Sequence, residues 1–154
     1  MIVRPFNLAD LAAVFSVQTA CPCAAQWRAE DYSHLAQSPA GIILVAEAGT
    51  SPAPRVVGFA AFRRVADEAE LHNLSVIPEF RRQGVGRALL RDGIRRLQEL
   101  GTRRLFLEVR AGNHIALGLY SASGFRSVSI RKSYYHNPEE DACVMALDLA
   151  GELR

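Results

Sequence analysis

The stretch Val76-Ile77-Pro78-Glu79-Phe80-Arg81-Arg82-Gln83-Gly84-Val85-Gly86-Arg87-Ala88-Leu89-Leu90 decides how this chain is read. A strand is predicted over 70–77, and Pro78 closes it. A glycine-bearing loop follows, and a helix is predicted over about 85–100. Its stripe of Gly86, Leu90, Gly93, Ile94, Leu97 and Leu100 keeps helical steps, with Arg87, Arg91, Arg95 and Gln98 opposite. Gly101 is a natural stop. A helix start leaves N–H groups unpaired, and with the helix dipole these make an anion site. Gly84 and Gly86 let backbone approach an oxygen-rich ligand, and Arg81, Arg82 and Arg87 add charge-assisted hydrogen bonds. The segment therefore reads as a phosphate grip, the plainer alternative being a tight turn with close helix–strand packing. It lacks the GK[ST] of a Walker loop and the GxGxxG spacing, which disfavours nucleoside triphosphates and dinucleotides.

Outward from this segment, helical and strand periods alternate. Strands are predicted over 2–5, 41–48, 55–65, 70–77, 104–110, 125–134 and 141–149. Helices are predicted from Asn7, with Leu8, Leu11, Val14 and Phe15 as its apolar face, over 27–37, over 85–100, and from a cap at Asn113 to Gly124. Thr50 to Pro54 reads as a loop, and Asp67-Glu68 as the turn between two strands. The fold class is α/β (α+β), one domain over 1–154 with a mixed central sheet.

The 154 residues are 49% hydrophobic and 22% charged, enough for a real core and against disorder. No apolar run is long enough for a membrane span, and the first ten residues do not resemble a secretory leader. Cys21, Cys23 and Cys143 have neither disulfide-framework nor zinc spacing, so they read as free thiols with no metal site, and the cytoplasm is the expected compartment. Of the 18 basic residues, 17 are arginine, and nine of these fall within 81–110 against only Asp92, Glu99 and Glu108. That excess suggests a phosphate-bearing partner, cofactor or nucleic acid, unless it is only a solvated helix face.

With these segments in order, the chain resembles the GCN5-related N-acetyltransferase superfamily, in which the Arg81-x-x-Gly84-x-Gly86 type of loop holds the pyrophosphate of acetyl-coenzyme A. Segments 107–113, 116–120, 123–125, 131–135, 140–142 and 145–147 resemble its bacterial RimI branch, which acetylates the N-terminal alanine of a small-subunit ribosomal protein. The resemblance implies about seven strands and four helices, with the fourth and fifth strands splayed around acetyl-coenzyme A as co-substrate. It implies that Leu74, Ser75 and Val76 pair with the pantetheine arm and that Arg82, Gln83, Gly84, Val85, Gly86 and Arg87 wrap the pyrophosphate. Asn113 would reach the cofactor, Glu108 would be the general base and Tyr120 the general acid.

The chemistry suits such roles. An α-amine with a pKa of about 8 is nearly ready to attack at neutral pH, whereas a lysine amine near about 10.4 needs more help. A carboxylate takes the proton directly or through water, and a phenol protonates the departing thiolate. A backbone N–H near Val76 would steady the acetyl oxygen. Glu70 and His72 are rival bases, and Cys143 reads as core rather than nucleophile. Tyr134 and Tyr135, with Glu139, Glu140 or Asp141, would line the acceptor groove. The acceptor expected is a protein or peptide N-terminus, that of a ribosomal protein first, with nucleic acid not required. The alternatives are acetylation of lysines or a small amine, and a non-catalytic module whose arginines bind RNA.

Overall fold

The computed structural model describes residues 1–49 and 54–150, so most of the loop expected at 50–54 lies outside them. Seven strands form one sheet: β1 (Ile2–Pro5), β2 (Gly41–Ala48), β3 (Arg55–Val65), β4 (Glu68–Val76), β5 (Arg104–Arg110), β6 (Arg126–Tyr135) and β7 (Glu140–Asp148). Their spatial order is β1-β2-β3-β4-β5-β7-β6. Only β4 and β5 run parallel, so the chain must cross over between them. It does so through α3 (Val85–Glu99); α1 (Leu11–Thr19) and α2 (Ala29–Gln37) follow β1, and α4 (His114–Ala122) follows β5.

The core is centred on β3, whose residues Val57 to Phe62 are all buried. A continuous apolar run is what a strand covered on both faces requires. Phe59 meets the buried Tyr32 of α2 edge-on at 5.6 Å. Phe62 lies beneath α3, where a Cβ on Gly93 would come within 2.2 Å of its ring. Strand alternation puts these two phenylalanines on opposite faces, so α2 and α3 sandwich the sheet.

Three expected details differ. The helix expected from Asn7 begins as a 3-10 turn, Leu8–Asp10, capped by the Asn7 side chain. Its tighter three-residue winding shifts the phase, so Val14, Val17 and Gln18 are buried while Leu8 and Phe15 are exposed. Trp27 precedes α2, whose N-cap is Arg28. Glu68 is the first residue of β4, so the turn is formed by Ala66 and Asp67.

One irregularity in β4 positions the site. Ala61 pairs with Asn73 and Phe62 with Leu71, leaving His72 as an extra, bulged residue. Beside it, the parallel pairing of β4 with β5 stops at Leu71–Leu107, although both strands continue. The sheet therefore opens there, as the expected splay requires.

Candidate active site

The opening is bounded by 72–76 of β4 and 108–110 of β5. At the start of α3, the first backbone bond closes from Ala88 N–H to the Gly84 carbonyl, and no side chain caps the turn. The N–H groups of Val85, Gly86 and Arg87 are thus left without intrahelical partners. Gly84 holds φ at +82°, the left-handed region that favours glycine. A Cβ on Gly86 would make only ordinary contacts, 3.4 Å from Leu119 and 3.9 Å from Val76, so packing does not demand glycine there. Free N–H groups, an open helix start and arginines nearby fit a pyrophosphate.

The other expected ligand-binding residues divide by what already engages them. Arg81 turns back onto the strand: its Nε donates to the Val76 carbonyl at 3.0 Å, and that carbonyl also accepts from Cys21 Sγ at 3.4 Å. Arg82 and Arg87 are exposed, Arg82 with φ at +62°. Gln83 donates to the Glu79 carbonyl at 3.2 Å. Val85 is buried, so its contribution to a ligand is its backbone. Leu74 is half-buried, and Ser75 is buried with its hydroxyl 3.1 Å from Asn73 Oδ1. Asn113 caps α4, accepting from Ala116 N–H at 3.2 Å.

Glu108 is the first β5 residue beyond the last β4 pair. Its Oε2 accepts from Arg131 Nη1 at 2.7 Å, and Tyr134 reaches Oε1 with a long 3.4 Å contact. The Arg131 guanidinium also lies over the Tyr134 ring at 4.6 Å. Glu70, Phe106, Glu108, Ser129, Arg131 and Val144 line a cavity of about 310 Å³. Tyr120 is buried, with its ring 5.6 Å from Phe125, and its hydroxyl has no hydrogen-bond partner among the described residues. Burial pushes its pKa up, so it remains a proton donor throughout the physiological range.

Of the rival bases, His72 packs 5.6 Å from Trp27 and its pKa is pushed down, chiefly by burial. The neutral imidazole therefore dominates at pH 7. Tyr135 lies under the Arg110 guanidinium at 4.4 Å, and burial first, then Glu108, pushes its phenol up to about 12. Two carboxylates expected in the acceptor groove have partners within the protein. Glu140 accepts from Gly112 N–H at 2.6 Å and Arg110 at 3.3 Å, and Asp141 accepts from Ser133 N–H at 2.8 Å. Cys143 is buried beside the Ser127 hydroxyl, consistent with a core residue, and all three thiols are free. Sequence reasoning gave Arg131 no role, because its reach across β7 to Glu108 depends on a strand order that no local pattern encodes.

The family model described as the acetyltransferase (GNAT) family matches residues 11–125. The chain belongs to that family. The family's acyl donor is acetyl-coenzyme A. The chain is also similar to the ribosomal protein bS18-alanine N-acetyltransferase of Escherichia coli K12, at 44% identity over 98 residues, 62% of this chain. The matched stretch spans 66% of that relative, just under two thirds of its length. The crystal structure of the ribosomal-protein-S18-alanine N-acetyltransferase from Escherichia coli superposes with a TM-score of 0.82 at 32% identity, covering 96% of this chain and 93% of that one. Arabidopsis thaliana NAA60 in complex with acetyl-CoA shares the fold of this GNAT chain, with a TM-score of 0.86 at 18% identity over 97% and 99% of the two chains.

Proposed function

We propose that this chain, acting as one domain over 1–154, transfers acetyl from acetyl-coenzyme A to a protein N-terminal α-amine, the N-terminal alanine of a small-subunit ribosomal protein. The observation that carries this reading is a carboxylate, Glu108, one residue past the point where β4 and β5 stop pairing. The opened edge of β4 at Leu74, Ser75 and Val76 offers backbone to the pantetheine arm, and the free N–H groups of Val85, Gly86 and Arg87 take the pyrophosphate. Arg82 and Arg87 add charge, while Arg81 bonds the Val76 carbonyl. The oxygen of Asn113 caps α4, so its amide nitrogen is the atom left for the cofactor.

Glu108 removes the amine proton through Oε1, directly or through a water, as the new C–N bond forms. A backbone N–H near Val76 steadies the acetyl oxygen as charge develops on it. Tyr120 gives its proton to the departing sulfur as the C–S bond breaks. Acetyl passes straight to the amine, so no cysteine is acylated. The acceptor reading draws on the named activity of the Escherichia coli relative. A cytoplasmic location goes with such an acceptor, and among the described residues no helix is long and apolar enough to cross a membrane. Asp92 and Glu99 pair with Arg95 and Arg96 at 2.6–2.8 Å, which weakens the exposed basic face that an RNA-binding module would use.

The test is acetyl-coenzyme A-dependent thiol release with two peptides, one with a free N-terminal Ala-Arg, the other blocked at its terminus with an internal lysine. Turnover of the free terminus alone supports the proposal. Turnover of the blocked peptide instead makes the enzyme a lysine acetyltransferase.

A further inference from the structure

Arg131 has no part in the chemistry above, yet it makes the shortest polar contact to Glu108, Nη1 to Oε2 at 2.7 Å. It stands on the edge strand β6, reaches across β7 and rests on the Tyr134 ring. It also lines the same cavity as Glu70 and Glu108. Without it, the cavity would hold two carboxylates and would attract any ammonium group. With it, one carboxylate is neutralised and Oε2 of Glu108 is held by a short ion pair, while Oε1 has only the long 3.4 Å contact from the Tyr134 hydroxyl and is the oxygen left to take a proton.

We propose that Arg131 is a positioning residue: it fixes Glu108 with Oε1 toward the acceptor and, by its own charge, biases the cavity against protonated amines. The cavity then selects acceptors whose amine sheds its proton more readily near pH 7, which favours an α-amine over a lysine side chain. This deepens the proposed function and rests on Glu108 being the base.

The other charged and titratable groups around Glu108 are accounted for. Glu70 and His72 face it from β4, Arg110 shares its own strand, and Tyr134 and Tyr135 face it from β6. Glu140 of β7 is engaged by Arg110 and the Gly112 N–H, and Arg63 of β3 acts on His72. Among the described residues, Arg131 is the cation bonded directly to the Glu108 carboxylate.

The experiment compares kcat and KM for Arg131→Gln, Arg131→Lys and Glu108→Gln, using the free-terminus and blocked-lysine peptides. Arg131→Gln is expected to lower kcat on the free-terminus peptide roughly tenfold with acetyl-coenzyme A affinity unchanged, because the Glu108 carboxylate loses the ion pair that fixes its orientation. It should also cut the preference for the α-amine roughly tenfold, while Arg131→Lys keeps both near wild type. A kcat and a preference unmoved in Arg131→Gln, with kcat lost in Glu108→Gln, overturn this inference alone. A kcat that persists in Glu108→Gln overturns the base assignment, and this inference with it.

Discussion

Asn73 donates its Nδ2 to the Tyr32 hydroxyl at 3.3 Å, fastening helix α2 to the strand at which the sheet opens. The Tyr32 hydroxyl in turn donates to Gln18 of α1, and the Asn73 amide also binds the Ala25 carbonyl at 3.1 Å. Ser75 completes the group by donating to Asn73 Oδ1 at 3.1 Å. These buried side chains link both N-terminal helices to β4, so the bulge has a rigid backing.

Asn73→Ala should therefore be costly, because it leaves the Ala25 carbonyl and the Ser75 hydroxyl without this partner. Unpaired buried polar groups predict a loss of about 2 kcal/mol in urea unfolding. Ser75→Ala, which removes a single bond from the same group, should cost about half of that.

Two glycines should respond in opposite directions. Gly93→Ala would drive a methyl into the Phe62 ring and should destabilise the protein by about 2 kcal/mol. Gly118 lies within α4 with nothing within 4 Å of an added Cβ, so Gly118→Ala should stabilise by about 0.5 kcal/mol. Thermal melts of the two variants compare them directly.

Glu108→Gln should lower kcat by about 10²-fold or more while leaving acetyl-coenzyme A affinity intact. Under the proposed mechanism Tyr120→Phe should also lower kcat, because it removes the hydroxyl proposed to protonate the departing sulfur. Burial raises the Tyr120 pKa, so no alkaline limb from this phenol should appear near neutral pH. Steady-state kinetics and cofactor titration by calorimetry measure the two effects separately.

The N-terminus carries an acid-labile brace. Arg4 donates to both oxygens of buried Asp10 at 2.8 Å and to Glu47 at 2.8 Å. The Arg4 guanidinium first, with the Asn7 backbone, holds the Asp10 carboxyl below its ordinary value of 3.8. A folded pKa below the unfolded one means stability that is present above 3.8 and lost as pH falls through the folded value. Asp10→Asn should remove about 2 kcal/mol at pH 7. It should also flatten the acid side of stability against pH, as read by denaturant midpoints between pH 2 and pH 6 as a rough window.

How much was legible in the sequence varies with how local the cause is. Helix α3 was readable because its period and its bounding glycines are local, yet Leu89 is fully buried and Leu100 is 51% exposed. The helix buries a wider arc than the stripe suggests, and Leu100 is its C-cap, just beyond the last turn that buries Leu97. The first helix was out of phase because a 3-10 turn precedes it. Glu108 and Tyr120 were reachable through motif resemblance, which carries positions but not contacts. The ion pair with Arg131 was not, because it depends on β7 lying between β5 and β6, as did the engagement of Glu140 by the Gly112 backbone.

The bulge at His72 also makes this an unfinished sheet: beyond it, one edge of β4 and the facing edge of β5 are without each other's hydrogen bonds. A bound ligand that supplies those bonds acts as a missing strand, so its binding energy is also folding energy. Ligand-free protein should then exchange those amides of 73–76 and 108–110 that face the opening with solvent deuterium ahead of the rest of the sheet. Saturation with acetyl-coenzyme A should slow that exchange and raise the melting temperature together.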